Sequence, residues 1–223
     1  MVIFSVDPIR RLMLRTVRSG ACRNWFTVQR WVDVSNQDYG VTWATVDAPL
    51  VEVGAIAPQP ESTHSPRGWI KSIGPSQTLY SYVMNNYWTT NYRHDQAGVK
   101  TFRYSIEPHR QCDLGRAAKF GVERSQPLLV VPVDPESPVQ GSLLAVRPEG
   151  VMVTAWKPSR DGQAWIVRLF NASGQTQKAR LRWTAPRATW LSNLAEEALS
   201  PITGPIEMAA NEIVTLRSAR AGE

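Results

Sequence analysis

Eight consecutive residues, Asn85 to Tyr92, bring together three carboxamides, three aromatic rings and two threonine hydroxyls. Rings offer flat apolar faces to the C–H side of a pyranose, and each amide offers its hydroxyls both a donor and an acceptor. The octet Asn85, Asn86, Tyr87, Trp88, Thr89, Thr90, Asn91 and Tyr92 is therefore a candidate sugar-contacting surface, with Tyr82, Arg93, His94, Gln96 and Arg103 as neighbours. The same residues also suit an ordinary strand end, with rings in the core and Asn side chains closing turns. In a continuous strand, Asn85, Tyr87, Thr89 and Asn91 would share one face and Asn86, Trp88, Thr90 and Tyr92 the other, leaving only one of the two accessible.

Other chemistry is weakly encoded. Retaining hydrolysis of a glycosidic bond uses two carboxylates about 5–5.5 Å apart. The candidates Asp33, Asp47, Glu52 and Asp95 each have a structural role open to them: Asp33 and Asp47 flank turns, Glu52 alternates with Val51 and Val53, and Asp95 precedes a Gly-containing bend. No catalytic residue is expected among them. A catalytic zinc wants three protein ligands, often with closely spaced histidines, whereas His64, His94 and His109 form no such motif, so no metal is expected in this chain. There is no G-x-S-x-G elbow, and neither Cys22 nor Cys112 has a recognisable partner histidine. Their separation carries no disulfide framework, which leaves free thiols as the expectation. Asn171-Ala172-Ser173 matches a glycosylation sequon, but between two strand-like runs it reads as a hairpin turn in which Gly174 takes a positive φ.

Charge excludes one further class. The formal net charge is +6, yet apart from Arg10, Arg11, Arg15 and Arg18 the basic residues are scattered singly among acidic ones. Without clustering or a recognisable nucleic-acid motif, a solvated basic surface is expected and no nucleic-acid partner. Met1 to Leu14 holds only a short apolar run broken by Asp7, Pro8 and two arginines, fitting neither a signal peptide nor a membrane span. If Met1 is a true start this favours a cytoplasmic protein; if the chain is a piece of a longer one, the address could lie elsewhere.

The elements that must position these residues are mostly strands. Nine Trp, 16 Pro and 14 Gly in 223 residues suggest many turns, few long helices and a substantial core. Alternation predicts strands at Trp25–Val34, Val41–Thr45, Leu79–Met84, Thr101–Ile106 and Leu128–Val133. A proline-rich loop covers Ala57–Pro66, and Asp113–Arg124 is the one credible helix, capped by Asp113, although Gly115 and Gly121 weaken it. Prolines between Pro132 and Gly141 mark a linker, followed by hairpins at Ser142–Val146, Val151–Trp156, Ala164–Phe170, Gln177–Trp183, Thr189–Leu191 and Glu212–Leu216.

Several segments in order carry a family resemblance: Trp25-Phe26-Thr27-Val28-Gln29-Arg30-Trp31-Val32-Asp33-Val34, Asp47-Ala48-Pro49-Leu50-Val51-Glu52-Val53-Gly54, the octet, Phe102-Arg103-Tyr104-Ser105-Ile106, and downstream Val167–Gly174 and Asn211–Leu216. Together they resemble the C-terminal, all-β part of family 38 glycoside hydrolases, the α-mannosidases, particularly bacterial ones. The resemblance implies an all-β fold: a β-supersandwich, galactose-mutarotase-like, over residues 1–137, then a small C-terminal β-sandwich over 138–223, with one short helix between. It also implies a non-catalytic module acting in carbohydrate metabolism beside a separate catalytic domain, which carries the nucleophile, the acid and the zinc ligands. In the family, loops of this β region help shape the sugar pocket; the matching positions here are Asn85, Asn86, Trp88 and Asn91. The implied partners are that catalytic domain and a mannoside-like carbohydrate, with no membrane. A free-standing carbohydrate-binding module, using Tyr87, Trp88 and Tyr92 as a platform, is the alternative.

Overall fold

The computed structural model describes residues 2–5, 22–56, 70–74, 76–84, 95–134, 136 and 141–220. The octet Asn85–Tyr92, Arg93, His94 and the whole Ala57–Pro66 loop, His64 included, lie outside the described residues. The chain divides into two compact units. The first holds residues 1–112 and 120–127, the second 113–119 and 128–223, so the single helix is shared out between them.

In the first unit the strands are β1 (Val2–Ser5), β2 (Phe26–Thr27), β3 (Trp31–Ser35), β4 (Gly40–Thr45), β5 (Leu50–Val53), β6 (Leu79–Ser81) and β7 (Tyr104–His109). A four-stranded sheet runs β1-β3-β4-β7, with β1 parallel to β3 and the other pairs antiparallel; a three-stranded antiparallel sheet runs β2-β5-β6. Val32 and Val34 of β3 turn with Trp43 toward Phe26, Val51, Val53 and Leu79 of the smaller sheet, making one apolar cluster. Val32 and Val51 are fully buried, each contributing about 1.5–3 kcal/mol. Alternation then puts Trp31, Asp33 and Ser35 on the opposite face of β3.

The expected long strand Trp25–Val34 is broken. Gln29 has a φ of 57° and the Arg30 N–H donates to the Val28 carbonyl at 2.7 Å, so the chain turns between β2 and β3. Three other expectations are also corrected. Only Leu79–Ser81 of the Leu79–Met84 run pairs. The strand expected at Thr101–Ile106 lies three residues later and includes Pro108, tolerated because β7 is a sheet edge and needs no donor on its free side. Leu128–Val133 forms no strand: it has apolar composition but pairs with no strand among the described residues, and Leu128, Leu129 and Val130 are almost wholly exposed.

Helix α1 (Leu114–Ser125) begins where capping predicts, with the Arg116 N–H donating to Asp113 Oδ1 at 3.1 Å. Ala117, Ala118 and Phe120 are buried as expected. Gly121 does more than weaken the helix. A Cβ there would lie 2.8 Å from Trp31 Cδ1, so glycine is what lets the last turns approach the Trp31 face of β3.

The second unit contains β8 (Leu144–Arg147), β9 (Val151–Pro158), β10 (Ala164–Asn171), β11 (Gln177–Trp183), β12 (Thr189–Ser192), β13 (Ala198–Pro201), β14 (Ile206–Met208) and β15 (Ile213–Ala219). A five-stranded sheet, β13-β12-β15-β10-β9, faces a three-stranded one, β14-β11-β8. Val151, Val167, Leu169 and Leu216 from the first meet Ala179, Ile206 and Met208 from the second in one core, the packing of a β-sandwich. All six hairpin strands read from the sequence are present, and Gly174 closes its turn with a φ of 72°.

Candidate functional site

A concavity of the first unit lies where β3 turns into β4. It encloses about 350 Å³, within the range of small-molecule sites, and is lined by Asn36, Tyr39, Val41, Trp43, Gln77 and Leu79 among others. The turn is built by Asn36, whose Oδ1 accepts from the Asp38 and Tyr39 N–H groups at 2.8 Å each. Tyr39, at the rim, is 65% exposed. Trp43 continues the apolar wall, its ring 5.4 Å from that of Tyr104. Tyr104 is fixed in turn by a 2.8 Å hydrogen bond between its hydroxyl and that of Ser81. Two rings with the amides of Asn36 and Gln77 are the chemistry looked for at the octet, assembled at different residues. Such a cleft can receive the apolar face and hydroxyls of a sugar.

Ser35 and Gly40 border this cleft and tie it to a buried polar cluster on the reverse face of β3. Asp33 is completely buried. Its Oδ1 accepts from Ser35 Oγ at 2.7 Å, and its Oδ2 accepts from Thr42 Oγ1 and His109 Nε2, each at 2.7 Å. The carboxylate thus selects the imidazole tautomer with hydrogen on Nε2. Strand register explains the assembly, because Asp33 pairs with Thr42, Ser35 with Gly40, and Gly40 with His109 across β3, β4 and β7. Asp33 is therefore a central strand residue rather than the turn-flanking one expected, because the turn comes after Ser35.

The other carboxylates do not join it. Asp47 sits in the bend after β4, held by the Arg103 N–H and guanidinium at 2.8–2.9 Å, and hydrogen bonds from Arg103 pull its pKa down to about 2. Arg103, expected near a sugar, is thereby committed to Asp47. Glu52 is buried on β5, on the face opposite Val51 and Val53. Asp33 and Glu52 thus point away from a shared core on the far sides of two sheets, which stack roughly 10 Å apart. That separation is too great for a retaining pair. Asp95 and Gln96 are exposed, and Tyr82 packs its ring 5.9 Å from that of Trp25.

Among the described residues no group of three His, Cys, Asp or Glu side chains is placed to hold a metal ion. His109 and Asp33 supply only two such groups, and hydroxyls fill the rest of the carboxylate's shell, so this cluster does not fit a catalytic zinc. Cys22 and Cys112 form no disulfide among the described residues. No helix among the described residues is long and apolar enough to cross a membrane.

The predicted binding residues Asn85, Asn86, Tyr87, Trp88, Asn91 and Tyr92 lie outside the described residues. What sequence reasoning missed is the cleft formed by Asn36, Tyr39, Trp43 and Gln77. An Asn three residues before a Tyr-Gly pair signals the turn, but Gln77 arrives from a distant segment that no local pattern connects.

Residues 150–216 match the family profile of the glycosyl hydrolases family 38 C-terminal beta sandwich domain. In three dimensions the chain is similar to an alpha-mannosidase from Enterococcus faecalis V583, with a TM-score of 0.61 and 20% identity over 87% of this chain and 21% of that one. It is also similar to a protein in glycosyl hydrolase family 38 from Enterococcus faecalis, with a TM-score of 0.56 and 18% identity over 87% of this chain and 22% of the other. The chain therefore spans about a fifth of the length of these structures. At such identities the likeness establishes the fold. No curated protein matches the chain in sequence.

Proposed function

We infer that this chain, whose residues 150–216 match the family 38 C-terminal β-sandwich domain, serves as a non-catalytic β module of an α-mannosidase-like glycoside hydrolase. In this reading, residues 1–137 form the supersandwich-like region and 138–223 the terminal sandwich. A separate catalytic domain carries the reacting carboxylates and the zinc, and this module braces that domain and helps contour its mannoside pocket. The observation that carries the reading is the family match over residues 150–216. The saturation of Asp33 by its three donors and of Asp47 by Arg103 supports it, since neither carboxylate is left free to attack or to protonate a substrate. Cys22, which forms no disulfide among the described residues, fits a reducing compartment, and cytoplasmic placement belongs to the same proposal.

The test is hydrolysis of aryl α-mannosides by the purified chain, with and without added zinc. No turnover is expected under either condition. Turnover that disappears in Asp47→Asn or Asp33→Asn would refute the reading.

A second reading, a free-standing carbohydrate-binding module, is favoured by the Tyr39 and Trp43 cleft with its amide donors. Calorimetry with mannose oligosaccharides separates the two. Saturable binding lost in Tyr39→Ala supports an autonomous binder, because Tyr39 is exposed and its removal leaves the core intact. Absence of heat supports the module that meets sugar only beside its catalytic domain.

A further inference from the structure

The terminal sandwich is open along one side. β8 and β9 are the outer strands there, one in each sheet, and the corner Pro148-Glu149-Gly150 joins them. Register sets which way β9 faces. Val151, Val153 and Trp156 pair with Asn171, Leu169 and Val167, so all three look toward the opposite sheet. Trp156 meets Trp183 of that sheet edge-on, with ring centroids 5.9 Å apart. Val151, beside the corner, is buried, whereas Val153 is 41% and Trp156 40% exposed. The core-facing side of β9 is thus covered at one end and bare along the rest, because the three-stranded sheet stops at β8.

A strand that covered it would have an edge to bond. β8 pairs with β11 through Leu144 to Arg147, and its other edge pairs with no strand among the described residues. One further strand on that edge would satisfy the outward amides and carbonyls of β8 and lie over Val153 and Trp156.

Leu128-Leu129-Val130-Val131 is the segment suited to this place. Four consecutive apolar residues present an apolar face in whichever phase the strand forms, and valine favours the extended backbone. Leu128, Leu129 and Val130 are almost wholly exposed, pair with no described strand and belong to the same compact unit as β8 and β9. Residues 132–143 give enough chain, at up to about 3.3 Å per residue, to fold the run back beside β8, and Pro132 falls at its end, where a missing donor is tolerated. The run and the bare face of β9 are both apolar surfaces left in water, so closing one on the other buries both.

We propose that residues 128–131 are a strap that closes on the terminal sandwich as an added antiparallel strand on β8, covering Val153 and Trp156 and shielding an edge open to pairing with another chain. The structure holds the strap open.

The test is amide hydrogen exchange and NOE measurement on the full chain labelled with 15N. Closure is expected to protect the β8 amides that point away from β11 and to give cross-strand NOEs between β8 and residues 128–131. The paired change Leu129→Pro and Val130→Pro removes a donor in either phase of the strand and should speed exchange at those β8 amides about tenfold or more. Both positions are exposed, so the core is left alone, and Val130→Ile should exchange like the parent. Because strap and edge belong to one chain, protection should survive dilution. Free exchange at the outward β8 amides of the parent overturns the proposal, as does protection that the paired prolines leave unchanged. Protection that fades on dilution assigns the edge to a second copy and overturns it as well.

Discussion

Gly40 and His109 are ladder partners so close that a Cβ added to the glycine would lie 2.5 Å from the imidazole Cε1, and only 2.2 Å from Ser35 Cβ on the other side. The ring can reach Asp33 because nothing projects from position 40. Gly40→Ala is therefore expected to cost about 2–3 kcal/mol through overpacking, read as a lower urea midpoint with an unchanged slope. Gly74→Ala is the control. A Cβ there meets nothing within 4 Å, so its midpoint should stay at or slightly above that of the parent.

Asp33 is the acceptor shared by Ser35, Thr42 and His109. Removing it leaves three buried donors unsatisfied, whereas removing Ser35 Oγ alone deletes one bond to an acceptor that keeps two others. Asp33→Ala should lower stability by on the order of 3 kcal/mol or more, and Ser35→Ala by about 1. The double variant Asp33→Ala with His109→Ala should fall well short of the sum of the singles, since both delete the same contact. Additive losses in urea unfolding would mean that the cluster is not a coupled network.

The Asp47–Arg103 pair gives a pH signature of known sign. Arg103 lowers the Asp47 pKa from 3.8 to about 2, so the carboxylate is held in its charged form in the folded chain. A depressed folded-state pKa contributes stability that is fully present above the unfolded value and lost as pH falls through the folded one. The difference in urea midpoint between the parent and Asp47→Asn should be constant above about pH 5 and shrink between about pH 4 and pH 2. Because the pair is on the surface, added salt should also reduce it. A difference that grows on acidification would contradict the assignment.

How much of this was legible in the sequence depended on how local the cause was. β11 alternates cleanly because it has one face in the core, and α1 starts where Asp113 caps it, so these elements could be read directly. The strand-like Leu128–Val133 run misled because apolar composition cannot say whether a partner strand exists. β13 was missed for the opposite reason, being wholly exposed and ending in Pro201, with no apolar face to give it away. Long-range assembly hid the rest. The Asp33 cluster needs His109 beside Gly40, which strand register sets, and the cleft needs Gln77 from a distant segment to line it with Tyr39; no short motif announces either.

The turn at Asn171 yields the last prediction, and it separates a structural asparagine from a glycosylation acceptor. Asn171 is completely buried, and its Nδ2 donates to the carbonyls of Gln175 at 2.7 Å, Met208 at 3.1 Å and Ala209 at 2.8 Å. Its Oδ1 accepts from the Ser173 N–H at 3.1 Å and from Ser173 Oγ at 2.8 Å. The side chain thereby fastens the β10–β11 turn to the segment after β14, and a glycan on Nδ2 would displace those carbonyls. Expression in a host that glycosylates secreted proteins should therefore give folded chain with no mass added at Asn171. Asn171→Asp replaces a donor with an acceptor facing three carbonyl oxygens and should cost on the order of 3 kcal/mol, more than Asn171→Ala, which removes the donor without adding repulsion. A folded, glycosylated Asn171, or an aspartate as stable as the parent in urea, would show that the side chain does not hold the turn.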